Sequence, residues 1–486
     1  MKKITIDIDD TNSLDEILNS QEFKEANHIS IKGTSEDGLF KVLNSNKCEA
    51  VKVLDLSKTC FLIQSRFFGN PLHRIEFLGN LREIILPENL ETLKTGSIHC
   101  VDNLQKITFP KNLKKIEHHA IEAYNLKKII LPDTIEVIED SAFSNCEKLT
   151  EINIPKNVKK FHSPFDWCFK VKKINLSPEN KNFKIINNAI FSADGKNLIC
   201  VPPALSENYE IPFGTEVLES GCFDSFQGKS VVIPESIKTI KHGAFKNCLK
   251  LETVLIPDSV VEMDNFCFMQ CDKLKKIRLS EKIVNIDKSF FYNCGNVKTI
   301  TLPEKLEFIK SGSLSGLYSL NKIIISPNNP NYSTYNGALY TKDMKRLIEI
   351  PSGKAEKLKL YEGVEVVSAG LFWAQETLKE FKFPDSIKVV ETRFFDRCRQ
   401  LEKITFGSHI EEISFDAFHD CDMLKTFVVP AENPPKIIKQ EKRSPLDHIA
   451  FWVEFDFKRM TVYVPENAVE KYKNADFWKE AEIKEI

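Results

Sequence analysis

The sequence predicts a repeat solenoid of short parallel strands, and three observations carry that prediction. The first is a period. Units of 22 or 23 residues begin at Leu81, Leu104, Leu126, Leu149 and Val171, then at Gly228, Leu251, Leu274, Val297 and Leu320, and again at Leu378, Leu401 and Leu424. The second is a shared apolar skeleton within each unit. The third is length: 486 residues exceed what one compact core usually holds, whereas a stack grows by adding units.

Each unit opens with a short apolar strand closed by proline, as in Ile129-Ile130-Leu131-Pro132, Val254-Leu255-Ile256-Pro257 and Phe381-Lys382-Phe383-Pro384. Proline has no N–H and ends the hydrogen-bond ladder there. An apolar pair three residues apart follows (Ile135 and Ile138, Val260 and Met263, Ile387 and Val390), then a small residue and Phe (Ala142-Phe143, Ala244-Phe245, Ala417-Phe418). One unit cannot bury all of these groups. Stacked units can, because equivalent side chains then form internal ladders and strands pair in parallel about 4.8 Å apart. Seven of the 13 cysteines (Cys146, Cys168, Cys248, Cys271, Cys294, Cys398 and Cys421) fall three residues after the Phe. Ladder side chains point the same way rather than at each other, so these thiols are expected to be buried, unbridged and poorly reactive.

The pattern Leu-x-x-Ile-x-Ile-Pro-x-x-Val-x-x-Ile-x-x-x-Ala-Phe-x-x-Cys-x-x-Leu resembles the BspA-type leucine-rich repeat of bacterial cell-surface and secreted proteins, over about residues 50 to 430. The segment from Val462-Tyr463-Val464-Pro465 through Tyr472 to Trp478 resembles the closing unit of such proteins. The resemblance implies a non-enzymatic binding role, in adhesion and in recognition of a protein or glycan. The secretion signal usual in that family is missing, since Met1 to Asp10 alternates apolar and charged residues and reads as a strand. The chain as written is therefore expected in the cytoplasm, as a scaffold or effector using the same surface, and at the cell surface or secreted if a precursor segment is missing.

Three regions follow: an N-terminal cap at 1–50, the solenoid at 51–430 and a C-terminal cap at 431–486. The first cap is expected to hold a strand, a helix capped near Ser13 and running through Leu14 to Leu18, and a strand at His28 to Ile31. The last contains Pro434-Pro435, a basic stretch from Lys436 to Arg443, a strand, and a short helix from Ala468 to Lys473. Bare solenoid ends expose apolar core and a strand edge, which is why caps are expected. Two units are long, with 57 residues from Val171 to Gly228 and 58 from Leu320 to Leu378. Inside them, residues 188–199 and 337–348 correspond without a gap at an offset of 149. Apolar segments around Asp194-Gly195 and Asp343-Met344 read as β-hairpin inserts near 181–204 and 330–353.

With 67 basic and 69 acidic residues, the net charge of -2 predicts neither a nucleic-acid partner nor attraction to anionic membranes. No run of 18 apolar residues suggests a transmembrane segment. Phosphate-loop, dinucleotide, nucleophile-elbow and zinc-protease motifs are missing, so no catalytic, cofactor or metal residues are assigned. His118-His119 reads as a surface pair, since adjacent strand residues point to opposite faces. Asp140, Asp194 and Asp258 read as turn residues, and Cys267 and Cys271 as core thiols. A hydrolytic site in the C-terminal segment is the remaining catalytic alternative. The expected state is a monomer. The candidate binding surface is the column before the inward strand residue: Lys106, Lys128, Glu151, Lys173, Thr253, Lys276, Thr299, Lys322 and Lys403. It reads either as a solvated face or as a mildly basic track for an acidic protein or glycan. Trp167 and Trp373 are the aromatic contact candidates, at positions where most units hold Asn, Asp or Ser.

Overall fold

Each repeat folds as one turn of a parallel-strand solenoid in which three short segments occupy three faces. The computed structural model describes residues 2–34, 42, 50–59, 80–99, 101–286, 290–439 and 456–486. The basic stretch beyond Lys439 and Cys48, Cys60 and Cys100 lie outside the described residues. On the first face the apolar strand pairs with its neighbours, for example Glu83–Ile85 with Lys106–Thr108, Thr299–Thr301 with Lys322–Ile324, and Lys403–Thr405 with Thr426–Val428. The second face is built from two-residue strands such as Lys115–Ile116 and Val137–Ile138. On the third, Ile121–Glu122 pairs with Phe143–Ser144 and Phe372–Trp373 with Phe395–Asp396.

Alternation places the middle residue of each first-face strand inward, so Ile107, Ile277 and Ile404 are buried between exposed or half-buried neighbours. The Phe of each turn stacks on the next. Phe223 and Phe245 lie 5.0 Å apart at 13°, and Phe268 and Phe291 5.7 Å apart at 9°. Turning the chain from face to face uses two left-handed backbone positions per repeat. One precedes the Phe by two residues and is often glycine (Gly221, Gly243, Gly312, Gly370). The other follows it by two and is often asparagine (Asn145, Asn247, Asn293). These are the residue types for which positive φ costs least.

The cysteines add a bond that spacing alone did not suggest. The thiol of Cys248 donates to the Phe223 carbonyl at 3.1 Å, that of Cys398 to Phe372 at 3.0 Å and that of Cys421 to Phe395 at 3.3 Å. A small, weakly donating side chain thus satisfies a buried carbonyl of the preceding turn. Ten described cysteines are buried and unbridged, and burial pushes the Cys200 and Cys294 thiols well up. Under native conditions a thiol-labelling reagent should modify fewer than two of these ten within minutes, and all of them in denaturant. Rapid native labelling of most of them would contradict the ladder.

The chain forms two compact units, Met1–Leu251 and Glu252–Ile486. In the first, strands Lys3–Asp7 and His28–Gly33 pair in parallel and continue to Val53–Thr59. The helix between them spans Thr11–Asn19 and is capped by Asp10, whose carboxylate accepts from the Ser13 N–H. Ser13 is therefore inside the first turn, a correction to the cap read from sequence: Asp10 accepts the orphan amide, as N-cap carboxylates do. The second unit ends in strand Thr461–Val464, helix Val469–Asn474 and strand Glu482–Glu485, with the two strands parallel. Trp478 is buried there and donates from Nε1 to the Pro435 carbonyl at 2.9 Å, while Tyr472 Oη donates to Ala431 at 3.1 Å.

Each long unit contains three antiparallel strands. In the first unit they are Phe183–Ile186, Ala189–Ser192 and Asn197–Cys200, the last returning to the second face beside Val217–Leu218. In the second they are Tyr332–Tyr335, Ala338–Thr341 and Arg346–Glu349, the last beside Val366–Val367. The turns are pinned alike. Asp194 accepts from Ser192 Oγ and Lys196 N, and Asp343 from Thr341 Oγ1 and Lys345 N. The chain then cuts back toward the first face, through Ala204 N to Val171 O at 2.7 Å and Gly353 N to Leu320 O at 2.8 Å. No third-face strand forms on either shortcut, so the third-face loops before and after it become direct neighbours.

Candidate binding groove

The two shortcuts create the same junction in each unit, and different side chains fill it. In Met1–Leu251 the loops at 163–168 and 222–225 meet, and Trp167 N donates to Ser225 Oγ at 2.8 Å. The residues just after the ladder Phe close the gap with charge. Lys246 Nζ lies 2.9 Å from Asp224 Oδ2 and 3.7 Å from Asp166 Oδ1. Asn247 Nδ2 donates to both carboxylates, at 2.7 Å to Asp166 and 3.0 Å to Asp224. Burial pushes the Asp224 carboxyl above its usual range against the pull of Lys246. Burial also opposes the charge on Lys246, but Asp224 and Asp166 outweigh it and raise the amine.

In Glu252–Ile486 the loops at 311–316 and 369–374 meet through Ser311 Oγ donating to the Ala369 carbonyl at 2.6 Å. Here the position of Asp224 holds Trp373, and those of Lys246 and Asn247 hold Asp396 and Arg397. The gap stays open. A cleft of about 430 Å³ lies on one side of Trp373 between Tyr292, Ser311, Thr392, Arg393 and Arg397. A wider one of about 650 Å³, between Glu376, Lys379, Arg397 and Arg399, lies on the other. Trp373 and Arg397 line both, so the two clefts meet at one aromatic and one cationic side chain and together are called the groove. The indole stacks on Tyr318 at 5.9 Å and 27°, with Tyr292 at 6.4 Å. Gly370, at φ 71°, has nothing within 4 Å of where a Cβ would stand, so the floor is open backbone.

Beneath this floor lies Glu349, in the place taken by Cys200 in the first unit. Its side chain is buried and accepts from the Leu314 amide at 3.4 Å. Burial pushes its carboxyl up to about 8, against backbone hydrogen bonds from Leu314, Ser313 and Gly312. Asp396 is held by His419, whose Nδ1–H donates to it at 2.9 Å. Arg393 and Arg397 lie loosely by Asp416 and Asp420, at 3.9 Å and 3.7 Å.

The lysine column on the first face lines up by register but alternates in charge. Lys106 is ion-paired with Glu83, and Lys128 lies 3.6 Å from Glu151. Glu151 also neighbours Lys173, Lys276 neighbours Thr253, and Lys322 neighbours Thr299. Lys403 stands between Glu380 and Thr426. Trp167 and Trp373 are not equivalent: Trp167 occupies the left-handed position two after the Phe, at φ 58°, whereas Trp373 is one step earlier on the outward column. His118 and His119 lie in a turn rather than a strand, their rings edge to face at 4.0 Å. Asp140 O and Ser144 Oγ take their Nδ1 atoms.

The BspA type leucine rich repeat region matches this chain in six copies, over residues 76–197, 216–337 and 352–440. The chain belongs to that family. The family match breaks at 198–215 and 338–351, within the long units that make the junctions. No curated protein sequence matches the chain. Among solved structures, a leucine-rich repeat protein from Eubacterium ventriosum is 18% identical, covering 78% of this chain and 84% of that one, with a TM-score of 0.43. The pneumococcal vaccine antigen PcpA is 17% identical, over 95% and 78%, at 0.33. A leucine rich cell surface protein from Faecalibacterium prausnitzii is 17% identical, over 93% and 82%, at 0.32. Among the described residues of this BspA-type chain, no helix is long and apolar enough to cross a membrane.

Proposed function

We propose that this BspA-type repeat protein is a non-enzymatic binding protein that seats a protein or glycan ligand in the groove flanking Trp373. The carrying observation is the contrast between two equivalent junctions. Where the first unit fills the gap with a buried ion-paired network, the second leaves two clefts around an aromatic and cationic wall. Convergent polar groups around an open apolar surface are the usual composition of a ligand site, and Trp, Tyr and Arg dominate binding energies. Family membership supports a repeat-based binding role in a surface or secreted setting. The lysine column is the weaker candidate, because Lys106 and Lys128 are paired with glutamates and Lys276 and Lys322 stand apart, each beside a threonine.

Screening the whole chain against arrayed glycans and peptides tests this reading. Any ligand found should lose about 30-fold in affinity or more in Trp373→Ala, as truncation of a central aromatic anchor does. The double variant Lys276→Ala/Lys322→Ala should bind as the parent does. The reverse pattern would move the site to the first face.

A further inference from the structure

We propose, resting on the groove reading above, that its ligand is a carboxylate-bearing oligosaccharide. Three features of the site point to that class. The wider cleft is lined by Lys379, Arg397 and Arg399 against one carboxylate, Glu376, so its field favours an anion. Guanidinium groups pair with carboxylates through two parallel N–H bonds, which fixes orientation as well as attraction. The narrower cleft adds the hydroxyl oxygens of Ser311, Ser315 and Thr392, whose hydrogens go to Ala369 O, Gly312 O and Asp416 Oδ2, over a floor that includes Gly312 and Gly370. Oxygens left to accept match the hydroxyl donors of a polyhydroxyl ligand, and a floor without bulk lets a rigid ring approach the backbone. Trp373 stands between the clefts as an amphipathic wall, with an apolar face for the C–H face of a sugar ring.

A fourth feature concerns the backbone of the groove wall. Arg393 and Arg397 occupy the two left-handed positions of their repeat, at φ 49° and 59°, which several turns give to glycine or asparagine and others to residues such as Ser141, Phe266, Gln270 or Asp420. Arginine is conformationally disfavoured there. Both of these arginines line the narrower cleft, whereas Phe266 and Gln270, the same departure in another repeat, line neither. Arg397→Asn and Arg393→Gly therefore place the residues that suit a left-handed backbone. They should fold at least as stably as the parent while weakening binding.

The test titrates the full chain with three acidic sugars: a galacturonate hexamer, a hexamer alternating glucuronate and N-acetylglucosamine, and sialyllactose. Neutral maltohexaose and hexaglutamate serve as controls. At least one acidic sugar should bind ten times more tightly than either control and weaken about fivefold or more between 50 and 500 mM salt. Arg397→Asn should reduce that binding at least tenfold with an unchanged or higher midpoint of thermal unfolding. Equal binding of maltohexaose, or of hexaglutamate, overturns the inference, since the site would then read hydroxyls alone or charge alone. So does failure of all three acidic sugars. If maltohexaose or hexaglutamate binds and Trp373→Ala abolishes it, the groove reading survives the loss of the acidic-sugar inference. If an acidic sugar binds but neither Trp373→Ala nor Arg397→Asn weakens it, the groove reading itself falls.

Discussion

Replacing Asp224 with alanine is expected to destabilise the unit Met1–Leu251 by about 3–5 kcal/mol, among the largest effects of any single substitution outside the Phe ladder. Asp224 has no exposed side-chain surface, and the Lys246 side chain is only 21% exposed beside it. Removing the carboxylate leaves an ammonium at a closed junction with Asp166, at 3.7 Å, and Asp140 as the remaining counter-charges. It also strips Asn247 and Ser225 of an acceptor. The pair itself need not stabilise much, because desolvating two ions costs about what their attraction returns. Asp224→Ala/Lys246→Met should therefore recover most of the loss, giving a coupling energy of about 2 kcal/mol or more in a double-mutant cycle. Hydrogen exchange at the 163–168 and 222–225 loops is the suitable local probe, since repeat stacks open piecewise. Equal destabilisation by the single and double variants would show that the network acts through shape rather than charge.

That network and the groove were the least legible parts of the sequence, and the reason is geometric. Ladders announce themselves because the same residue type returns every 22 or 23 positions, so Phe143, Cys146 and their counterparts could be placed from spacing alone. The lysine column was visible for the same reason with Glu151 already on it, and only the register adds Glu83 and Glu380 to the same line. The groove depends instead on a shortcut of the chain. Residues 315 and 373 lie 58 apart in sequence and become neighbours only because the strand Arg346–Glu349 returns to the second face and the third is skipped. One signal was available. The position right after the ladder Phe reads Ser144, Asp166, Asp224, Lys246, Met269, Tyr292, Trp373, Asp396 and His419, a variable column beside a monotonous one. Variation beside strict repetition marks an outward face free to specialise. The cysteine thiols show the complementary limit: spacing predicts their burial, while their bond to the previous turn's carbonyl requires the register between turns.

Glu349 supplies the second large effect, and its sign follows from burial. The carboxyl is pushed from 4.5 up to about 8 in the folded chain because desolvation outweighs the backbone hydrogen bonds from Leu314, Ser313 and Gly312. Between those two values the folded state keeps a proton that the unfolded state has released, so stability declines as pH rises. The contribution is fully present below about pH 4.5, is lost progressively toward pH 8, and changes no further above it. A shift of this size corresponds to a loss on the order of a few kcal/mol. Glu349→Gln does not titrate, so its stability relative to the parent should improve steadily from pH 5 to pH 8. Glu349→Asp, which keeps a carboxyl at the site, should retain a decline. The amides Glu349 holds belong to the loop that floors the narrower cleft, so protection from exchange at Gly312, Ser313 and Leu314, relative to the intrinsic rate at each pH, should fall in the parent as pH rises to 8 and stay constant in Glu349→Gln. Parallel pH profiles for parent and Glu349→Gln would mean that the carboxyl reaches water, and the floor of the groove would then owe its order to its other bonds, Ser311 Oγ to Ala369 and Gly370 N to Thr392 among them.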